Sequence, residues 1–313
     1  MDKPQIAIEV LTYNSDLEKL KLTLNSILIQ KNIDFEIIIA DDGSENSNEK
    51  SIRQFFEDKD FEKYTIVANK QNQGTVKNVI SGLEKVTADY VKDISPGDMF
   101  YDENTLYDFY QEIQKSNEDV YFGNACYYNV ENQIIHFYNP KNPRNINVYK
   151  KTKVKQIKKN YLNKRDYILG ANFLIKTSVF LEYLKKIEDK VVYAEDCSFI
   201  YMLADNIIPV FFDRNFIWYE YGSGISTSSN NSWIQKIEAD NKSTFELLYQ
   251  NRLISKACYD MKYSKSFIKK LFLRILLNPM SLIRKILPIK ISEIERDDKA
   301  VLVELLNKYN GVI

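Results

Sequence analysis

Four strand-like runs, at residues 5–13, 35–40, 64–68 and 90–94, alternate with stretches whose apolar residues recur every three to four positions. The first two are nearly continuous in apolar side chains, as strands buried on both faces are. Leu17, Leu20, Leu24, Ile27 and Leu28 mark an intervening amphipathic helix, with Ser15 and Asp16 as candidate caps. A short helix is predicted at 48–56, and another carries Val76, Val79, Ile80, Leu83 and Val86. Such alternation builds right-handed strand–helix–strand units and a parallel sheet. Ligands bind beyond the carboxyl ends of such strands, where Asp41-Asp42-Gly43-Ser44 and Ser95-Pro96-Gly97-Asp98 fall.

After Asp119 the pattern changes to longer alternating strands, a basic stretch at 141–165, a strand at 171–175 and a helix at 178–187, which predicts a mixed sheet. Beyond Tyr221-Gly222-Ser223-Gly224 the apolar spacing is helical at 233–249, 267–277 and 301–306. The 313 residues therefore read as an α/β domain, 1–229, with a helical C-terminal extension, 230–313.

Composition excludes several chemistries. Cys126, Cys197 and Cys258 are odd in number and widely spaced, so neither a disulfide framework nor a thiolate zinc site is expected, and a reducing, cytoplasmic setting fits. The single His136 rules out a multi-histidine metal centre, and its alternating surroundings at 134–138 assign it to a half-buried strand. The start of the chain has no signal-peptide pattern, and no uncharged apolar run is long enough to span a bilayer. The balance of 43 basic against 43 acidic residues conceals segregation: ten acids against four bases at 31–62, and ten bases without an acid at 141–165. Such local patches set the field a partner meets.

Five segments carry the chemistry. Thr12-Tyr13-Asn14 ends the first strand, Asp41-Asp42-Gly43-Ser44 ends the second, and Asn72-Gln73-Gly74-Thr75-Val76-Lys77-Asn78 opens a helix; Ile94-Ser95-Pro96-Gly97-Asp98 and Ala194-Glu195-Asp196 follow. In this order they resemble glycosyltransferase family 2, inverting enzymes with a GT-A fold, across about the first 225 residues. The resemblance implies a Rossmann-like nucleotide-sugar-binding domain. It assigns Thr12, Tyr13, Asn14, Asp41, Asp42, Asn72, Gly74, Lys77 and Ser95 to the donor. Carboxylates at a strand end suit a nucleoside, because they accept from a uracil-type N–H and from ribose hydroxyls; the bland alternative is an Asx-turn.

By the same resemblance Asp98 is the metal ligand for Mn²⁺ or Mg²⁺, Asp196 is the general base, and Glu195 orients it or binds the acceptor. The family commonly has a DxD or DxDD element where this chain has Ser95-Pro96-Gly97-Asp98, so one carboxylate remains. One suffices when phosphate oxygens and water complete the shell. Lys77 stands where many relatives have Arg and is either a looser anion contact or a solvated helix residue. Glu195-Asp196 in isolation would read as an acidic pair at a helix start.

The glycine- and hydroxyl-rich segment at 219–228 is either a loop that folds over a diphosphate or a linker. The basic stretch at 141–165 reads by default as a solvated loop. Basic amphipathic patterns at 266–277 and 282–287 either pack on the protein or a second copy, or lie on anionic lipid. The expected partners are a nucleotide-sugar donor and a glycan, lipid-linked or glycoprotein acceptor. No nucleic acid is expected, because no recognition motif accompanies the basic stretches. The alternative to an enzyme is a noncatalytic donor-binding or scaffold subunit.

Overall fold

The computed structural model describes residues 3–138, 143–164, 166–222, 230–277, 279 and 296–310. Strands β1 (Ile6–Thr12), β2 (Phe35–Asp41), β3 (Tyr64–Ala68) and β4 (Tyr90–Ile94) lie parallel in the order β3-β2-β1-β4. Helices α1 (Leu17–Leu28), α2 (Glu49–Asp58) and α3 (Thr75–Leu83) connect them. Asp16 caps α1 by accepting the Lys19 N–H at 2.9 Å. The register sets Thr12 opposite Asp41 and Val10 opposite Ile94, so the three strand ends that lead into the candidate motifs finish side by side.

The sheet then becomes mixed, as the change of pattern predicts. It continues through β5 (Met99–Phe100), α4 (Thr105–Ser116), β6 (Val120–Glu131), β7 (Ile134–Tyr138), β8 (Phe173–Lys176), α7 (Thr177–Lys185), α8 (Cys197–Ala204) and β9 (Val210–Glu220). Strand β8 runs antiparallel to β4 and β6, whereas β9 runs parallel to β6, giving the order β3-β2-β1-β4-β8-β6-β9-β5 with β7 beside β6. Strand β9 escaped the sequence reading because Asp213-Arg214-Asn215 interrupts it. Arg214 reaches Asp102 at 2.6 Å and Asp108 at 2.8 Å, which ties the interrupted strand to α4. His136 lies on the exposed side of β7.

The basic stretch corrects the expectation of a solvated loop. Helices α5 (Asn147–Lys150) and α6 (Val154–Lys158) and a π-turn at Lys159–Asn163 bury Val148, Tyr149, Ile157, Tyr161 and Leu162 in the main core. Lys150 pairs with Asp213 at 2.5 Å, and Lys158 donates to the Ala204 carbonyl at 3.0 Å. The apolar residues interleaved with the lysines explain the difference, since such stems and rings pack while the ammonium groups stay near water.

The C-terminal part consists of α9 (Asn231–Gln250), α10 (Lys256–Tyr263), α11 (Phe267–Leu277) and α12 (Arg296–Asn310). Phe245 and Leu248 of α9 belong to the same core as Phe199 and Met202 of α8. Leu302, Leu305 and Leu306 of α12 pack with Leu22, Met99, Tyr128 and Trp218 on the other side of the sheet. The expected boundary near Ser229, the loop residues 223–228 and the repeat at 282–287 lie outside the described residues. Among the described residues, no helix is long and apolar enough to cross a membrane.

Leu302 is fully buried against this second face. Leu302→Ala is expected to lower unfolding stability by about 2–5 kcal/mol in chemical denaturation, through lost burial and the cavity left behind.

Candidate active site

A cavity of about 590 Å³ opens at the carboxyl ends of β1, β2 and β4, between these strands and the start of α8. Of the expected site residues, Thr12, Tyr13, Asp42, Asn72, Gly74, Ser95, Asp98, Glu195 and Asp196 line it. Asn14, Asp41 and Lys77 do not.

The strand-end carboxylates have different surroundings. Asp41 accepts from the Thr12 hydroxyl at 2.9 Å, the Ser44 hydroxyl at 2.6 Å and the Ser44 N–H at 3.0 Å, which closes the turn beneath the cavity. Asn14 braces the same turn: its side-chain Oδ1 accepts the Glu45 N–H at 3.1 Å. Asp42 faces the cavity and accepts the N–H groups of Gln73 and Gly74, each at 2.9 Å. Gly74 has φ +91°, and a side chain there would meet Val192. Glycine is therefore required for this loop to approach the segment before Glu195. Lys77 is exposed on α3, while Asn78 turns inward and donates to the Ala40 carbonyl at 2.9 Å.

At the other end Asp93, Asp98, Glu195 and Asp196 share the cavity wall. Burial pushes Asp98 up to about 7, opposed by the Glu220 N–H, which donates to its Oδ1 at 2.9 Å, and by Lys92. Burial, aided by the nearby Asp93 charge, likewise pushes Asp196 up to about 7. Glu195 is raised well above the carboxylate range by burial and by Asp196. Lys92 is wholly buried on β4, with its ammonium 4.0 Å from Asp93 Oδ1 and donating to the Asp93 carbonyl. Desolvation lowers its pKa, while Asp93, Asp98 and Asp196 pull the other way. Lys19 enters from α1 and pairs with Glu220 at 2.6 Å. Gly170 lies against Asp196, so that a Cβ at this position would come 1.7 Å from its Oδ1.

The loop before Glu195 is held from the C-terminal part of the chain. Asp240, on α9 and buried, accepts the N–H groups of Val192 at 3.2 Å, Tyr193 at 2.7 Å and Ala194 at 3.0 Å. Trp233 and Asn241 of the same helix line the cavity. The sequence reading missed Lys19, Lys92, Gly170 and Asp240, gave Asp93 only a secondary place beside Asp98 at the metal, and took Glu220 only as part of the segment at 219–228. A charged pair inside a strand, Lys92-Asp93, was a legible signal; the rest act across sequence distances that spacing does not reveal.

Asp98 fits a divalent ion held by one carboxylate, since it faces the cavity and burial leaves it in need of positive charge. Among the described residues no three His, Cys, Asp or Glu side chains converge to cage a metal, so the remaining ligands would come from a bound molecule and water.

Asp240→Asn leaves one carbonyl oxygen for donors that now share two carboxylate oxygens. Denaturation should show a loss of about 1–3 kcal/mol. Amide exchange at residues 192–194 should quicken; unchanged exchange would mean that Asp240 does not hold the loop.

A sequence model of the family described as Glycosyl transferase family 2 matches residues 8–184, more than half of the chain. An uncharacterized glycosyltransferase of Methanocaldococcus jannaschii is 22% identical over 199 residues, which cover 64% of each chain. Among solved structures, a fragment of S. aureus TarS matches with TM-score 0.52 and 13% identity, covering 99% of this chain and 81% of that one. The same fragment in complex with UDP-GlcNAc gives TM-score 0.54 and 15% identity, with the same coverage. The likeness to these neighbours covers 99% of this chain, and the family match spans β1 from Ile8, β2 and β4 together with the turns at Asp42 and Asp98 that follow them; the chain belongs to glycosyl transferase family 2.

Proposed function

We propose that the chain is an inverting hexosyltransferase that moves one sugar from a UDP-sugar to a hydroxyl of a glycan, lipid-linked or glycoprotein acceptor. The observation that carries this reading is the meeting of Asp42, Asp98 and Asp196 in one cavity at the end of a parallel sheet. Family membership and the UDP-GlcNAc bound by the TarS fragment support the donor class.

The nucleoside lies toward Asp42, Asn72 and Gly74, and the diphosphate toward Ser95, Asp98 and Lys19, whose ammonium lines that wall paired with Glu220. Asp98 would hold a Mn²⁺ or Mg²⁺ ion, which would supply Lewis-acid stabilisation of the departing diphosphate. Asp196 takes the proton of the acceptor hydroxyl as its oxygen forms the bond to the anomeric carbon. The bond from that carbon to the diphosphate oxygen breaks on the opposite face, and the electron pair leaves with UDP. Configuration inverts and no covalent sugar intermediate forms. Glu195, whose carboxyl burial and Asp196 raise well above its ordinary range, orients Asp196 or binds the acceptor.

Asp196→Asn is expected to lower sugar transfer by about 1,000-fold, measured as UDP release with acceptor and Mn²⁺. Full retained activity would remove Asp196 as the base, and donor binding without turnover on any acceptor would favour a noncatalytic subunit. For the wild type, kcat/KM should rise with pH through about 7 as Asp196 loses its proton.

The stability effect has the opposite sign. Because the folded pKa lies above the ordinary 3.8, the stabilisation from Asp196 is full below about pH 4 and is lost as pH rises through about 7. Asp196→Asn should therefore raise Tm at pH 8 by several degrees, with the difference vanishing near pH 4. Gly170→Ala should preserve UDP binding while reducing turnover by about 100-fold, because its methyl group displaces the Asp196 carboxylate.

A further inference from the structure

Helix α11 carries half of the exposed large apolar side chains found among the described residues: Phe267, Ile268, Leu271, Phe272, Ile275 and Leu276, from 40% to 79% exposed. At 3.6 residues per turn these six occupy a continuous arc of about 180°. Arg274 borders one edge of the arc and Lys269 the other. Leu273, the buried residue of the helix, points the opposite way, where α11 packs on α10. Residues 261–277 contain five bases and no acid. Lys269 also pairs with Asp260 of α10 at 2.6 Å, whereas Arg274 is exposed.

We propose that α11 docks this protein on an anionic bilayer surface, with the apolar arc at the boundary between acyl chains and headgroups and the flanking cations among lipid phosphates. An apolar face of this breadth on a monomer marks an interaction site. An apolar arc with cations along both margins is the pattern of helices that lie in the interface plane. A second copy of the chain fits poorly: a symmetric contact through this face would crowd the bordering cations Arg274 and Lys269 of the two copies, and residues 261–277 supply no acid to pair with Arg274. Cys258 of α10 touches Asn163 at 3.1 Å, which anchors this helical pair on the main body. The inference is independent of the proposed sugar transfer.

The test is sedimentation of the full chain with phosphatidylcholine vesicles and with vesicles containing about one-third phosphatidylglycerol. Binding is expected to the anionic vesicles, at least tenfold tighter than to the neutral ones, and weakened by raised salt. Phe272→Asp should reduce it at least tenfold, and Lys269→Gln combined with Arg274→Gln by about 30-fold on anionic vesicles only. Both variants alter exposed positions, so an unchanged Tm separates loss of docking from misfolding. Absence of vesicle binding overturns the proposal, as does equal binding to neutral and anionic vesicles. Light scattering that reveals a dimer, dissociated by Phe272→Asp, in a chain that ignores vesicles assigns the face to a second copy instead.

Discussion

Four carboxylates around the cavity are held by backbone N–H groups: Asp41 by Ser44, Asp42 by Gln73 and Gly74, Asp98 by Glu220, and Asp240 by Val192, Tyr193 and Ala194. The first closes a turn, and the others join segments that the sheet alone would leave free to drift. Charge-assisted acceptance from an amide is short, directional and roughly twice as strong as a neutral bond. The cavity's outline is therefore set by the main chain, which has few alternative arrangements, rather than by long flexible side chains. The turn after β2, the wall at Asp98 and the loop before Glu195 are each fixed in this way.

The same arrangement concentrates negative charge. Asp93, Asp98, Glu195 and Asp196 share one wall, and Lys92 is the buried cation among them. Bringing such groups together in a poorly solvated place raises their proton affinity, as the shifts of Asp98 and Asp196 to about 7 illustrate. This is unfavourable for folding and useful for chemistry, since a carboxylate poised near neutrality is a stronger base than one in water. Glu9, fully buried on β1 with its pKa raised well above the ordinary range, extends the same tendency beneath the cavity floor.

Much of the frame was legible in the residues. Strands β1 to β4 and their helices follow from apolar periodicity, and the strand ends place Thr12, Asp42 and Asp98 together because parallel strands finish on one side. The chemistry-bearing segments were also legible, through their resemblance in order to a known family. Asp41 and Asn14 were harder to apportion, because a turn-closing carboxamide or carboxylate and a ligand-binding one have the same local sequence. Lys77 and Asn78 sit next to each other on α3, and only the helix's packing decides that the asparagine faces inward. The partners that complete the site were hidden for a different reason. Glu220 meets Asp98, and Asp240 meets the loop before Glu195, through tertiary contacts that no local pattern encodes.

Asp240 has a consequence for how the two ends of the chain communicate. The loop that presents Glu195 and Asp196 takes its shape from a helix that begins after the α/β fold is complete. Linkage makes this relation reciprocal: a ligand that tightens the loop also favours the seated position of α9, and a change in how α9 is seated alters affinity in the cavity by the same factor. The helical extension is thus part of the thermodynamic description of the site, and events at the far end of the chain have a physical route to its chemistry.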